Sequence, residues 1–146
     1  TFNESFAPFV ARASVEQWLI DSGSASKLKE YRRDTGRQDV TVNLIRNTRI
    51  RLAELYTSPI QETDKRRQKD LILDELMTKY FEMRKTGTVS NWDRWFEEGL
   101  NNAKLASVGS YHDDVGLFAA LFELSNGDFA AFYQSARAYA IRSGSL

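Results

Sequence analysis

Apolar residues recur at three- and four-residue intervals over most of this chain, and no strand-like alternation runs longer than Asp39 to Leu44. That period belongs to amphipathic helices, so an all-α fold is expected. The first helix is expected from about Asn3 to Ile20, with Phe6, Phe9, Val10, Ala13 and Trp18 on one buried face. Pro8 falls near its first turns, where a missing N–H is better tolerated than in mid-helix. The stretch Asp21 to Ser24 closes it. A long helix follows from about Ser26 to Tyr56, with Val42, Ile45, Thr48, Leu52 and Leu55 on its inner stripe. Thr35-Gly36 is expected to fray or bend it. Ser58-Pro59-Ile60-Gln61 then reads as a capping box, with Ser58 as N-cap and Gln61 at N3. The helix it opens is expected to reach about Lys85 and to bury Leu73, Leu76, Met77, Tyr80 and Phe81. So short a connection makes the two long helices an antiparallel hairpin, about 26–85, packed beside shorter helices.

Past the hairpin, Thr86 to Ser90 reads as a loop, with Ser90 capping a short helix from Trp92 to Glu98. Next come the segment Leu100 to Val108, the run Tyr111-His112-Asp113-Asp114 and two more apolar helices. Asn126-Gly127-Asp128 separates those two, Gly127 ending one and Asp128 capping the other. No internal repeat or low-complexity segment interrupts the pattern. The 146 residues are read as a single helical domain, large enough to bury a core.

Composition removes several classes of chemistry. There is no cysteine, hence no disulfide, thiolate zinc site or thiol nucleophile. Lys+Arg and Asp+Glu are both 20, which argues against generic binding to nucleic acid or an anionic membrane. The balance is uneven, since residues 27–70 carry 12 basic against 7 acidic side chains. Lys65-Arg66-Arg67 and the arginines at 46, 49 and 51 therefore suggest a phosphate stripe. Acidic residues interleave with them and aromatics do not, so a solvated face is the preferred reading. No apolar run approaches a membrane span, and no signal peptide is visible. The chain opens at Thr1-Phe2 without methionine and is expected to be part of something longer.

The opening stretch Asn3-Glu4-Ser5-Phe6-Ala7 carries the sharpest chemical question. A carboxylate in apolar company is costly unless a cation meets it. Glu4 is either a partly exposed first-turn residue that favours the helix dipole, or a ligand. In zinc peptidases with two histidines and one glutamate, the histidines come from an HExxH helix. The glutamate comes from a later helix, commonly in an Asn-Glu-x-x-Ala setting. A zinc ligand needs a rigid helix and small neighbours where helices approach, which Ala7 would supply, with the phenylalanines as a dry wall.

Downstream, Trp95-Phe96 precedes Leu100-Asn101-Asn102-Ala103-Lys104-Leu105-Ala106-Ser107-Val108, and Tyr111-His112-Asp113 follows. Together with Phe2-Asn3-Glu4-Ser5-Phe6-Ala7 and the basic hairpin, these segments resemble, in the same order, a family of predicted bacterial zinc aminopeptidases of the HExxH-plus-Glu type. The resemblance covers essentially the whole chain and places it in the C-terminal half, after the HExxH helix. No HExxH occurs here, and the single histidine, His112, cannot replace two.

The resemblance implies that Glu4 is the third zinc ligand, with zinc held only in the intact parent protein. The partner would be the N-terminal half carrying HExxH, the substrate a peptide, and the isolated chain inactive. Tyr111 and His112 become candidates for stabilising the tetrahedral oxyanion; equally, they cap and pack a helix junction. Asn3 would orient backbone or substrate. Asn101 and Asn102 could hydrogen-bond a peptide, though capping the helix near Ala103 is the simpler role. Asp113 and Asp114 point to different faces and more simply support the following helix N-terminus. A fragment without its partner half is expected to expose Phe2, Phe6 and Phe9 and to self-associate there. Family members often carry lipoprotein signals, which implies a lipid-anchored or periplasmic place in the bacterial envelope. The alternative is a non-catalytic interaction module that uses the exposed hairpin.

Overall fold

A computed structural model describes residues 2–109 and 115–144; at Asn3, Glu4, Gly109 and Val115 it describes the backbone alone. The fold is all-α. The described residues form seven helices and no strand: α1 (Phe2–Asp21), α2 (Ala25–Thr57), α3 (Glu62–Lys85), α4 (Asp93–Glu97), α5 (Asn102–Gly109), α6 (Val115–Leu124) and α7 (Phe129–Ser143). They divide into two compact units, one built from α1, α6 and α7, the other from α2 to α5.

In the α2–α5 unit the expected hairpin is present. Val42, Ile45, Thr48, Leu52 and Leu55 are all buried on α2, facing Leu73, Leu76 and Tyr80 of α3. Met77 and Phe81 are only partly covered. Helix α2 runs unbroken through Thr35-Gly36, where the Thr35 hydroxyl donates to the Tyr31 carbonyl at 2.9 Å. The turn corrects the expected capping box. Ser58 closes α2 by donating to the Leu55 carbonyl at 2.6 Å, and the N-cap of α3 is Gln61, without a side-chain bond. Glu62 and Asp64 in the first turn favour the positive end of the α3 dipole instead. The Lys65 ammonium covers the other end of the turn, donating to the Tyr56 carbonyl at 2.9 Å.

The basic face is largely self-paired, Arg51 with Glu75 at 2.7 Å, Lys65 with Glu62 at 3.4 Å and Arg67 with Asp64 at 3.4 Å. Exposed pairs of this kind contribute little stability, and they read as a solvated surface.

Helix α3 ends with Gly87 at a φ of 69°, which lets the Thr88 N–H reach the Met83 carbonyl at 3.0 Å. The loop that follows is pinned to both long helices. The Ser90 N–H donates to the Thr41 hydroxyl at 3.0 Å, and the Trp92 indole N–H donates to Gln38 at 3.1 Å. Ser90 does not cap α4, whose N-cap is Trp92 without a side-chain bond; the Asn91 side-chain oxygen accepts from the Asp93 N–H at 3.2 Å.

Tyr80 stands at the centre of this junction. Its ring stacks on Phe96 with centroids 3.7 Å apart. Its hydroxyl donates to the Asp93 carboxylate at 2.6 Å and accepts from the Trp92 N–H at 2.7 Å. The Arg84 guanidinium donates to the same Asp93 oxygen at 3.1 Å.

The α1–α6–α7 unit is held by aromatic rings. Phe2, Phe6 and Phe9 meet Phe118 and Phe122 of α6 and Phe132 of α7, with centroid separations of 5.0 Å for Phe2–Phe118 and 5.3 Å for Phe9–Phe132. Ala136 and Ala140 continue the buried side of α7 and keep it close. The expected stop and cap between α6 and α7 are both present. Gly127 has a φ of 76°, and the Asp128 carboxylate accepts from the Ala131 N–H at 3.0 Å.

Two expectations for α1 are corrected. Trp18 is 62% exposed rather than buried. Nine residues beyond Phe9, at about 100° each, it points roughly 180° away from the core. Phe2 and Phe9 are each 8% exposed, so the face expected to be bare is already covered within the unit.

Burial, and then the bond to Asp93, push the Tyr80 phenol from its ordinary 10.0 up to about 12. Between those values the unfolded chain has lost a proton that the folded chain keeps. The resulting stabilisation is complete below pH 10.0 and is lost as pH rises to about 12. Tyr80→Phe should cost roughly 2 kcal/mol at neutral pH, because it strands the Trp92 N–H and one Asp93 bond. Urea unfolding at pH 8 and pH 11 should show that deficit shrinking at the higher pH; an equal deficit at both would contradict the assignment.

Candidate functional site

The segment Phe2 to Ala7 forms the first turns of α1, so the motif residues are held on a helix as a ligand requires. Phe2, Ser5 and Phe9 turn inward, with Phe6 half-buried beside them. Asn3 and Glu4 occupy the turn between these anchors, described by backbone only. Pro8 adds a constraint at this point. It has no N–H, so the Glu4 carbonyl cannot receive the usual bond from four residues on. The turn that carries Glu4 is therefore held chiefly by the packing of the phenylalanines on either side.

Asn101 and Asn102 lie in the other unit, at the start of α5. The Asn101 side-chain oxygen accepts from the Lys104 N–H at 2.9 Å, which is N-cap geometry. Asn102 accepts from the Tyr56 hydroxyl at 3.0 Å, tying α5 to the end of α2. The Lys104 ammonium folds back to the Gly99 carbonyl at 3.2 Å and sits 4.9 Å from the Trp95 ring centroid. Both amide oxygens thus have partners within the fold. Tyr111 and His112 lie outside the described residues, as do Asp113 and Asp114.

Among the described residues no group of three histidine, cysteine, aspartate or glutamate side chains is placed to hold a metal.

One feature of the α1–α6–α7 unit has no counterpart in the motifs. A cleft of about 290 Å³ opens between α1 and α6, lined by Phe9, Ala13, Ala119 and Phe122 together with the carboxylates of Glu16 and Glu123. The Arg12 guanidinium borders the same cleft. Sequence pattern could not assemble it, because α1 and α6 stand at opposite ends of the chain.

Residues 1–143 match the family described as "Putative aminopeptidase". The chain belongs to that family. No curated protein and no solved structure matches it. Family membership supports a peptidase-like role in general, consistent with an all-helical chain that presents Asn-Glu-x-x-Ala on its first helix.

The two asparagines yield a direct check on their structural roles. Asn101→Ala should destabilise the α2–α5 unit by about 1 kcal/mol, whereas Asn101→Asp should retain most of the cap. Urea unfolding followed by Trp fluorescence reads this, and an Ala variant as stable as the parent would remove the capping role.

Proposed function

We propose that this chain supplies the glutamate ligand and part of the substrate cleft of a zinc-dependent aminopeptidase, whose HExxH helix lies in sequence outside these residues. The observation that carries the reading is Asn3-Glu4-Ser5-Phe6-Ala7 on a helix, in a chain matched almost end to end by an aminopeptidase family. Zinc, when bound, would polarise the scissile carbonyl and lower the pKa of its water.

The residues of this chain would act around that centre. Glu4 would offer an ionised carboxylate from a turn wedged by buried rings. Tyr111 and His112 would stabilise the tetrahedral oxyanion by donating hydrogen bonds. Asn3, Asn101 and Asn102 would hydrogen-bond the peptide, the latter two with their amide N–H groups. The necessary partner is the N-terminal half of the same protein, and the resemblance implies a lipid-anchored or periplasmic setting in a bacterial envelope. The chain by itself is expected not to hydrolyse peptides.

A second reading rests on the hairpin. A groove between α2 and α3 is lined by Leu44, Leu71 and Leu76, with the Arg51–Glu75 pair also lining it. Leu71 is 55% exposed. That surface suits a non-catalytic interaction module.

In the full-length protein, Glu4→Gln should lower zinc content at least tenfold, because a neutral amide is a poor ligand. Elemental analysis decides it, and unchanged zinc would remove the ligand assignment. Tyr111→Phe should leave zinc in place and reduce kcat by roughly 10²-fold or more. Unchanged turnover would return Tyr111 to packing.

A further inference from the structure

We propose that Asn126 is a self-modification site, a deamidation centre that the turn between α6 and α7 keeps latched while the fold is closed. The sequence supplies the chemistry. Of the chain's asparagines only Asn126 precedes a glycine. With no Cβ on Gly127, nothing crowds its backbone nitrogen as that atom approaches the Asn126 side-chain carbonyl. Asn126 is exposed, so water reaches the group that must leave.

The reaction needs only water and hydroxide. The Gly127 nitrogen gives its proton to hydroxide and attacks Cγ of Asn126. A nitrogen–carbon bond closes a succinimide ring. The bond from Cγ to Nδ2 breaks, and Nδ2 takes a proton from water and leaves as ammonia. A second water then opens the ring at one carbonyl or the other, giving aspartate or isoaspartate.

The structure sets when this can happen. Asn126, at a φ of 51°, is the only non-glycine residue with a positive φ among the described residues, and Gly127 follows at 76°. The Asn126 N–H donates to the Glu123 carbonyl at 2.9 Å, and the Gly127 N–H donates to the Phe122 carbonyl at 3.1 Å. That is a Schellman ending with asparagine in the left-handed position. The second bond occupies the hydrogen whose loss creates the nucleophile. Its acceptor residue is anchored, because the Phe122 ring packs against Phe9 and Phe132. On the other side the Asp128 N–H donates to the Ser125 carbonyl at 2.9 Å, and the Asp128 carboxylate caps α7.

Ring closure therefore waits on opening of this turn, and its rate is the intrinsic rate multiplied by the open fraction. Either product makes reclosure harder. Aspartate adds a carboxylate at the negative end of α6, one helical turn from the exposed Glu123. Isoaspartate lengthens the main chain between the two donors of the cap, so their bonds lose a common register. The turn thus records, irreversibly, that the end of α6 has opened.

The test incubates the chain at mildly alkaline pH, folded and in concentrated urea, and follows it by peptide mapping with isoaspartyl methyltransferase labelling. In urea Asn126 should convert ahead of every other asparagine, with isoaspartate among the products. The folded chain should react more slowly by about tenfold or more. Hydrogen exchange at the Gly127 amide should show a protection factor that matches this slowing within about threefold, because both processes break the same bond. Asn126→Gly, which suits the left-handed φ, should remove the modification and leave the Gly127 protection in place. No reaction at Asn126 in urea would overturn the site. Equal rates in the folded and unfolded chain, or a slowing unrelated to Gly127 protection, would overturn the latch.

Discussion

A phenol and a carboxylate hold the larger unit together. The Tyr80 hydroxyl is the point at which α3, the loop after it and α4 are joined, and it can be so because its ring is clamped against Phe96. A hydroxyl buried without partners would cost more than its ring gains. Asp93 meets it, and Arg84 in turn keeps the Asp93 charge paired. The bond from Ser90 to Thr41 then fixes the loop to α2. With these contacts a two-helix hairpin becomes a packed unit with α4 and α5 against one side. Without them the hairpin would have an apolar stripe from Val42 to Leu55 and too little to cover it.

The smaller unit solves the same problem by other means. Among its described residues, ring edges and faces fill the space between three helices, with two alanines letting α7 approach. This economy has a consequence for the turn that bears Glu4. Pro8 removes one rung of the helix ladder at that turn, and the surrounding phenylalanines hold it. The Glu4 turn is thus positioned by packing in its own unit, while the Asn101 and Asn102 amide oxygens serve a helix cap and a tie to Tyr56. The same three helices leave between α1 and α6 a cleft lined by Phe9, Phe122, Glu16 and Glu123.

Local rules made much of this legible beforehand. The α2 stripe is buried as its spacing requires, because a 3.6-residue period needs no knowledge of what lies opposite. The Asp128 cap and the left-handed Gly127 were equally readable, since each depends on atoms within a few residues. Errors arose where a choice between neighbours depended on distant packing. Ser58 could open one helix or close another, and it closes α2. Ser90 could cap α4, yet the helix starts two residues later with Trp92 at its N-cap, and Ser90 is tied instead to Thr41, far away in sequence. Trp18 continued an apolar list but not its angular register.

The sequence by itself determined the helical class, the hairpin, the inner stripe and the place of the Asn-Glu-x-x-Ala motif on the first helix, because these follow from periodicity and short-range capping. It also established that no HExxH is present within these residues. Only tertiary structure decided that Tyr80 is a hydrogen-bonded hub, that Asn101 and Asn102 already have partners, and that Phe2 and Phe9 are covered by α6 and α7. The juxtaposition of Glu16 with Glu123 in one cleft was likewise a tertiary matter. Each of these depends on which residues meet across long separations in the chain, and a one-dimensional pattern carries the period of a face but not the identity of what packs against it.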